Sequence, residues 1–372
     1  MHWLAGLAGI IVFALVTSEA FEVMLLPRRV RRSLRFVRFF FRGTWACWSL
    51  VANRMRRGTV RDGFLSLYGP LSMIFLLSSW GIGLIAGLGL LQWALQKDSP
   101  HPLTLLNAFY FSGSSFFTVG YGDVVPTTPL SKMLAVCEAF SGLAFIAVTI
   151  GYLPVLYQLF SRREAEVIQL DARAGSPPTA VALLCRHAEQ EAIDELQALL
   201  KVWERWCALL VESHLSYPML SYYRSQHDNQ SWLAALTAVL DCCVLILTGL
   251  TGVRTFGARM TFAMARLAIV ELCRVFHLKP EIHRPSRLDS GEFERVKQEL
   301  LDAGLSFSAD ENPEGKLSEL CATYEPFLFA LSDHFLLELP GWVPAEGADN
   351  WQRSSRGRSA KKLVESAPVQ PG

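Results

Sequence analysis

"SSFFTVGYGD", Ser114 to Asp123, occurs once in a chain of 372 residues. Gly120 and Gly122, with Tyr121 between them, free the backbone for left-handed conformations that other residues avoid. A ribbon of that kind can turn its carbonyls toward one axis, while Val119 and Tyr121 pack behind it. Carbonyls on one axis replace the water of a dehydrated cation. Irregular backbone at membrane depth is tolerated only where it is buried in protein or lines a cavity. The stretch therefore demands a membrane, a helix on each side and a means of closing a ring.

The flanks meet those demands. Leu67 to Leu95 is a charge-free apolar run opened by Gly69-Pro70, long enough to span with tilt. It carries Gly83 and Gly87, a GxxxG pair suited to close helix contact. Residues 103–117 are apolar and aromatic but too short to span, which predicts a re-entrant helix. Residues 130–160 form a further long apolar run, ended by Arg162 and Arg163.

With six contiguous residues in that setting, Thr118-Val119-Gly120-Tyr121-Gly122-Asp123 resembles the selectivity filter of potassium channels. The resemblance covers residues 67–160. It implies that the carbonyls of Thr118, Val119, Gly120 and Tyr121, with the Thr118 hydroxyl, coordinate potassium, and that Asp123 stands at the outer mouth. Tyr121 keeps the potassium-selective residue of the family. A filter ring needs four such segments and this chain has one, so a homotetramer is expected. Two departures stand out. Phe117 replaces a hydroxyl residue common in relatives, at the border of the inner cavity, and Ser114 stands where some relatives have a carboxylate behind the filter. Gly142 falls at the family's hinge position. Pro154 lacks an amide donor and should kink the inner helix, so both are gating candidates. Glu138 is an ionisable group on the same helix, expected to pair with a polar group behind the filter.

Composition agrees with a membrane chain. It is 51% hydrophobic and 19% charged, with net charge +1, which by itself implies no polyanionic partner, and no nucleic acid is expected. Trp3 to Thr17 is apolar, and its basic residues follow it instead of preceding it, unlike a signal peptide. Residues 1–26 are read as a membrane helix with its N-terminus outside. In residues 27–63, Arg29, Arg32, Arg35 and Arg38 repeat every third residue, as in a voltage sensor, but a sensor needs three preceding spans. A helical period fits better: Arg28, Arg31, Arg35, Arg38 and Arg42 share one face, and Val30, Leu34, Val37, Phe41, Trp45 and Trp48 the other. This predicts a basic amphipathic helix against anionic lipid.

Residues 161–345 read as a helical cytoplasmic regulatory domain, and 346–372 as a disordered tail. Asp289 with Glu292 resembles a capping box. Leu233 to Leu250, at borderline span length with Asp241 at its centre, is read as a buried helix and not as a fourth span. Glu271 is read with Asp241 as a satisfied core acid. Glu212, His214, Tyr217, Arg224, His227 and Asp228 form a polar cluster able to ring a ligand, proton or metal, or simply to make a solvated turn. No GxGxxG is present, and the eight cysteines include no CxxC, so they are read as buried reduced thiols.

The sequence thus predicts an all-α membrane protein: a tetrameric pore-helix and filter module over 64–160, plus a helical cytoplasmic domain. The expected function is passive potassium conduction in the cell's plasma (inner) membrane, with K+ as permeant ion, no other metal and no organic cofactor. No catalytic signature appears, so no enzyme is expected. The alternative is a channel-like sensor that has lost conduction. A transporter subunit is disfavoured, since potassium transporters of that kind carry four pore repeats per chain.

Overall fold

A computed structural model describes residues 2–24, 36–97, 102–190, 192–225, 230–308 and 312–345. Arg28, Arg31 and Arg35, His227 and Asp228, and the tail lie outside the described residues. The chain divides into two compact units, 1–158 and 159–372.

The first unit holds α1 (His2–Met24), α2 (Phe36–Arg54), α3 (Thr59–Leu95), α4 (Leu105–Phe116) and most of α5 (Pro129–Ala174). Among the described residues α1, α3 and α5 are long and apolar enough to cross a membrane, and the chain is a multi-pass membrane protein. α1 packs on α3 through glycine. A Cβ at Gly87 would meet the Phe13 nitrogen at 2.9 Å, and one at Gly9 would meet the Gly87 carbonyl at 2.6 Å. A Cβ at Gly83 would touch Val16 at 3.0 Å. The GxxxG pair of α3 is thus spent on α1 of the same chain, where small residues let two backbones approach in lipid.

Two helix limits differ from the sequence reading. α3 starts at Thr59, before Gly69-Pro70, with Pro70 inside it. One proline deletes a single helical hydrogen bond, while aromatic packing on α2 holds the early turns. Trp48 stacks on Phe64 at 4.4 Å, Trp45 meets Tyr68 edge-on at 4.8 Å, and Thr44 Oγ1 lies 2.9 Å from the Tyr68 hydroxyl. α5 continues past Phe160 to Ala174, where Gly175 takes φ +87°. Residues after Phe160 lose hydrophobicity but are mostly good helix formers, so hydropathy changes where the helix does not.

The second unit contains the end of α5, α6 (Ala180–Glu189), α7 (Ile193–Ser216), a 3₁₀ turn (Pro218–Tyr222), α8 (Trp232–Leu247), α9 (Thr255–Phe276), α10 (Ser290–Asp302), α11 (Pro313–Ala322) and α12 (Glu325–Phe335). No extended sheet forms among the described residues; the pairing of Leu250 with Phe307 is an isolated bridge. α8 is the core: every residue from Trp232 to Ile246 is buried. Asp241 is accommodated there by Arg287 Nη2 at 2.6 Å and the Tyr324 hydroxyl at 2.6 Å. Arg287 also donates to Glu325 at 3.2 Å, and its guanidinium lies 5.4 Å from the Trp342 ring. Glu271 differs from the core-acid reading: it is part-exposed and pairs with Arg274 one turn on. Cys47 and Cys137 are exposed on the outward faces of α2 and α5, unlike the buried thiols expected there.

Arg287 serves two buried carboxylates. Arg287→Met is expected to destabilise the second unit by about 3–5 kcal/mol, because both acids stay buried without their cation. Chemical denaturation of the detergent-solubilised chain, followed by tryptophan fluorescence, checks this; an unchanged midpoint would refute the pairing.

Candidate functional site: the pore loop

Thr104 caps α4 by accepting from the Asn107 amide at 3.2 Å. The helix ends at Phe116, and the chain leaves it as a loop suspended from its last turn. Thr118 N–H donates to the Ser115 carbonyl at 3.1 Å and Val119 N–H to the Ser114 carbonyl at 2.8 Å. Gly120 N–H donates to the Ser114 hydroxyl at 3.2 Å. Ser114 therefore holds the loop twice, once by backbone and once by side chain.

Beyond that anchor the backbone alternates. Thr118, Gly120 and Gly122 have φ of +54°, +63° and +80°, while Val119 and Tyr121 stay on the ordinary negative side. Alternating handedness along an extended chain brings successive carbonyls to one side. Left-handed backbone is costly for a β-branched residue such as Thr118, on the order of 1–3 kcal/mol, and persists only where its surroundings enforce it. The three amide bonds to Ser114 and Ser115 do so. At the outer end Tyr110 of α4 donates its hydroxyl to Asp123 Oδ2 at 2.9 Å, and Val124 N–H donates to Oδ1 at 3.0 Å.

The inner helix seats this assembly. A Cβ at Gly142 would fall 1.7 Å from the Phe116 carbonyl oxygen and 2.6 Å from its carbon. α5 thus passes over the last residue of the pore helix in contact with its backbone. Phe116 is fully buried with Leu84 and Leu88, ringed by Phe13, Ile85, Leu134 and Phe145. One turn earlier on the same face of α5, Glu138 is fully buried, with Gln92 and Ser112 as the polar side chains near it. Neither carboxylate oxygen makes a well-formed hydrogen bond with them. Gln92 itself bonds Ser131, and Gln96 accepts from Thr127 at 3.3 Å, joining the end of α3 to the start of α5. Phe117, Val119 and Tyr121 are exposed on the single chain, as are Met133, Val136 and Phe140 of α5. Pro154 is exposed inside a continuous α5.

Among the described residues, members of the second unit's polar cluster engage different partners. His214 is fully buried, and the arginine that meets it is Arg163 of α5, at 3.4 Å, not Arg224. Arg224 instead donates to the Phe335 and Leu336 carbonyls at 2.9 and 2.8 Å. Glu212 is near Ser216. Arg163 had appeared only as the end of an apolar run. No signal short of the tertiary structure pairs it with a histidine on another helix. Among the described residues no three His, Cys, Asp or Glu side chains gather as a metal site.

Comparison with known proteins bears on the same segment. Residues 71–158 match the family described as "Ion channel". The chain is 25% identical over 182 residues to the membrane protein YdjJ of Bacillus subtilis, which covers 48% of this chain and 52% of that one. It is 46% identical over 41 residues to two-pore potassium channel 4 of Arabidopsis thaliana, 11% of this chain and 14% of that one. It is 32% identical over 71 residues to the inward rectifier potassium channel Kirbac3.1 of Paramagnetospirillum magnetotacticum, 19% and 23% respectively. The chain thus spans about half the length of the first of these relatives and less of the others. No solved structure matches it.

The Gly142 contact is open to direct test. Gly142→Ala is expected to destabilise the first unit by roughly 1–3 kcal/mol or more through overpacking, seen as a lower thermal midpoint in detergent. Gly151→Ala, where nothing lies within 4 Å, should be neutral or stabilise by up to about 1 kcal/mol, as expected for glycine in a helix. Equal effects would deny the close seat. The helix–loop–helix segment of residues 71–158 thus matches an ion-channel family, and the chain is similar over short stretches to proteins named as potassium channels.

Proposed function

We propose that four copies of this chain assemble into a potassium-selective channel that conducts passively down the electrochemical gradient. The observation that carries the reading is the alternation of left- and right-handed backbone over Thr118–Gly122, suspended from a capped pore helix between two long apolar helices. The carbonyls of Thr118, Val119, Gly120 and Tyr121, and the Thr118 hydroxyl, replace the water shell of K+. Asp123, braced by Tyr110, collects cations at the outer mouth. The C-terminal end of α4 directs its negative dipole toward the cavity below the filter.

Tetramer formation accounts for the exposed Val119 and Tyr121 of the single chain, which pack behind the ring. Phe117 lines the cavity with an aromatic ring in place of a hydroxyl. Ser114 and Glu138 support the filter from behind, and Gly142 and Pro154 are the gating positions of the inner helix. The arginine face at Arg28, Arg31, Arg35, Arg38 and Arg42 meets anionic headgroups at the inner surface. The N-terminus lies outside, and the unit after Leu159 is cytoplasmic and biases the gate through α5.

Purified protein in liposomes carrying a potassium gradient tests this. Potassium is expected to pass in preference to sodium. Gly122→Ala adds a left-handed penalty of about 1–2 kcal/mol in each of four subunits, so flux should fall about a hundredfold or more with the tetramer intact. Absent flux from a folded wild-type tetramer would reject conduction and favour a channel-like sensor.

A separate effect is expected from Ser114→Ala, which removes the hydroxyl that receives Gly120 N–H. The loss of about 0.5–1.5 kcal/mol per subunit should appear as an increased sodium-to-potassium permeability ratio or faster filter closure. An unchanged ratio and unchanged closure would show that the backbone bonds alone hold the loop.

A further inference from the structure

A buried arginine sits on the continuation of the inner helix. Arg163 of α5 is 6% exposed, and its guanidinium is fully engaged. Nη1 donates to the Leu220 carbonyl at 2.8 Å, Nη2 to the Tyr223 carbonyl at 2.6 Å and Nε to Glu164 at 2.9 Å. The same guanidinium lies 5.3 Å from the Phe160 ring and 5.9 Å from the Trp232 ring. Its remaining contact is His214 Nε2, 3.4 Å from Nη1.

That contact settles the protonation of the histidine. Arginine has donors only, so Nε2 must present its lone pair. Nδ1 then carries the proton and donates to the Leu210 carbonyl at 2.9 Å. Ser213 Oγ lies 3.1 Å from the same nitrogen. Trp232 of α8 closes the site with its ring 5.8 Å away and brings no charge. Glu164 is bound to Arg163 and does not reach the imidazole. Among the described residues Arg163 is thus the one charged group that faces His214. Burial first, and Arg163 second, hold the imidazole well below its ordinary range. A second proton, on Nε2, would set two N–H donors and two positive charges against each other in a dry site.

We propose that His214 is a proton-binding site that controls the attachment of α5: binding a proton at Nε2 releases Arg163 from the 3₁₀ turn and α8. Through the continuous α5, proton binding on the side of the second unit resets the open fraction of the pore, and this last step rests on the channel reading above. The sign follows from linkage. The released histidine binds protons near its ordinary pKa of about 6.5, and the attached one binds them far less well. Attachment is therefore at full strength above about pH 6.5 and weakens as pH falls below it.

The test uses the full chain in potassium-loaded liposomes, with pH on the side of the second unit varied from about 8 to about 5. Wild-type flux is expected to change about fivefold or more as pH falls through 6.5, within the usual range of coupling between sites. His214→Gln keeps an acceptor for Arg163 without the titration and should give a flat profile. A flat wild-type profile, or a His214→Gln profile that follows the wild type, would overturn the proposal. Should His214→Gln fail to assemble, hydrogen exchange on the wild-type chain decides. Amides around residues 159–166 and 218–223 should lose protection below pH 6.5 after correction for intrinsic rates, and constant protection would overturn it. Flux absent at every pH would reject the channel reading alone and leave hydrogen exchange to judge the site.

Discussion

The Phe116 carbonyl occupies the space where a side chain at position 142 would stand. The pore loop depends on that contact. It presses the end of the pore helix against the inner helix, backbone to backbone, and so sets the level at which the loop departs. The loop has little packing of its own on the single chain. It is held from one side by amide bonds to Ser114 and Ser115 and at its outer end by the Tyr110–Asp123 bond. Whatever moves α5 at Gly142 therefore moves the anchor of the loop. Glycine at this point serves close approach, since any side chain would meet the Phe116 backbone.

Each unit buries polar groups, by different means. In the first, side chains with short reach link neighbouring helices: Gln92 with Ser131, Gln96 with Thr127, Thr44 with Tyr68. Uncharged bonds suit a setting where a net charge is expensive. In the second, charged side chains are buried together with their partners. Asp241 and Glu325 share Arg287, and Arg163 is enclosed by carbonyls, Glu164 and aromatic rings. Such arrangements tolerate no lost member, because the remaining charge is left without a partner in low dielectric. They are fixed points of the second unit, and one of them is carried by the helix that leaves the pore.

The membrane class and the pore loop were legible in the sequence. Hydropathy over twenty or more residues reports lipid exposure directly, and the glycines of Thr118–Asp123 announce its alternating backbone, so its neighbours need not be known. Where long-range packing decides, legibility ends. Pro70 marked a helix start to the eye, yet α2 holds the turns before it. Arg162 and Arg163 marked a helix end, yet α5 runs on. The polar run after Glu212 contained a residue of consequence, His214, but its partner lay on another helix and the other candidates went elsewhere or outside the described residues.

By itself, then, the sequence determined an all-helical membrane chain with a glycine-rich loop between two apolar helices, since spans and loop are properties of contiguous residues. Only the tertiary structure decided that Gly83 and Gly87 receive α1, that Gly142 bears on Phe116, and that Arg163 meets His214. Those are contacts between residues far apart in the chain. They depend on which helix faces meet, and no local pattern encodes the face a neighbour will choose.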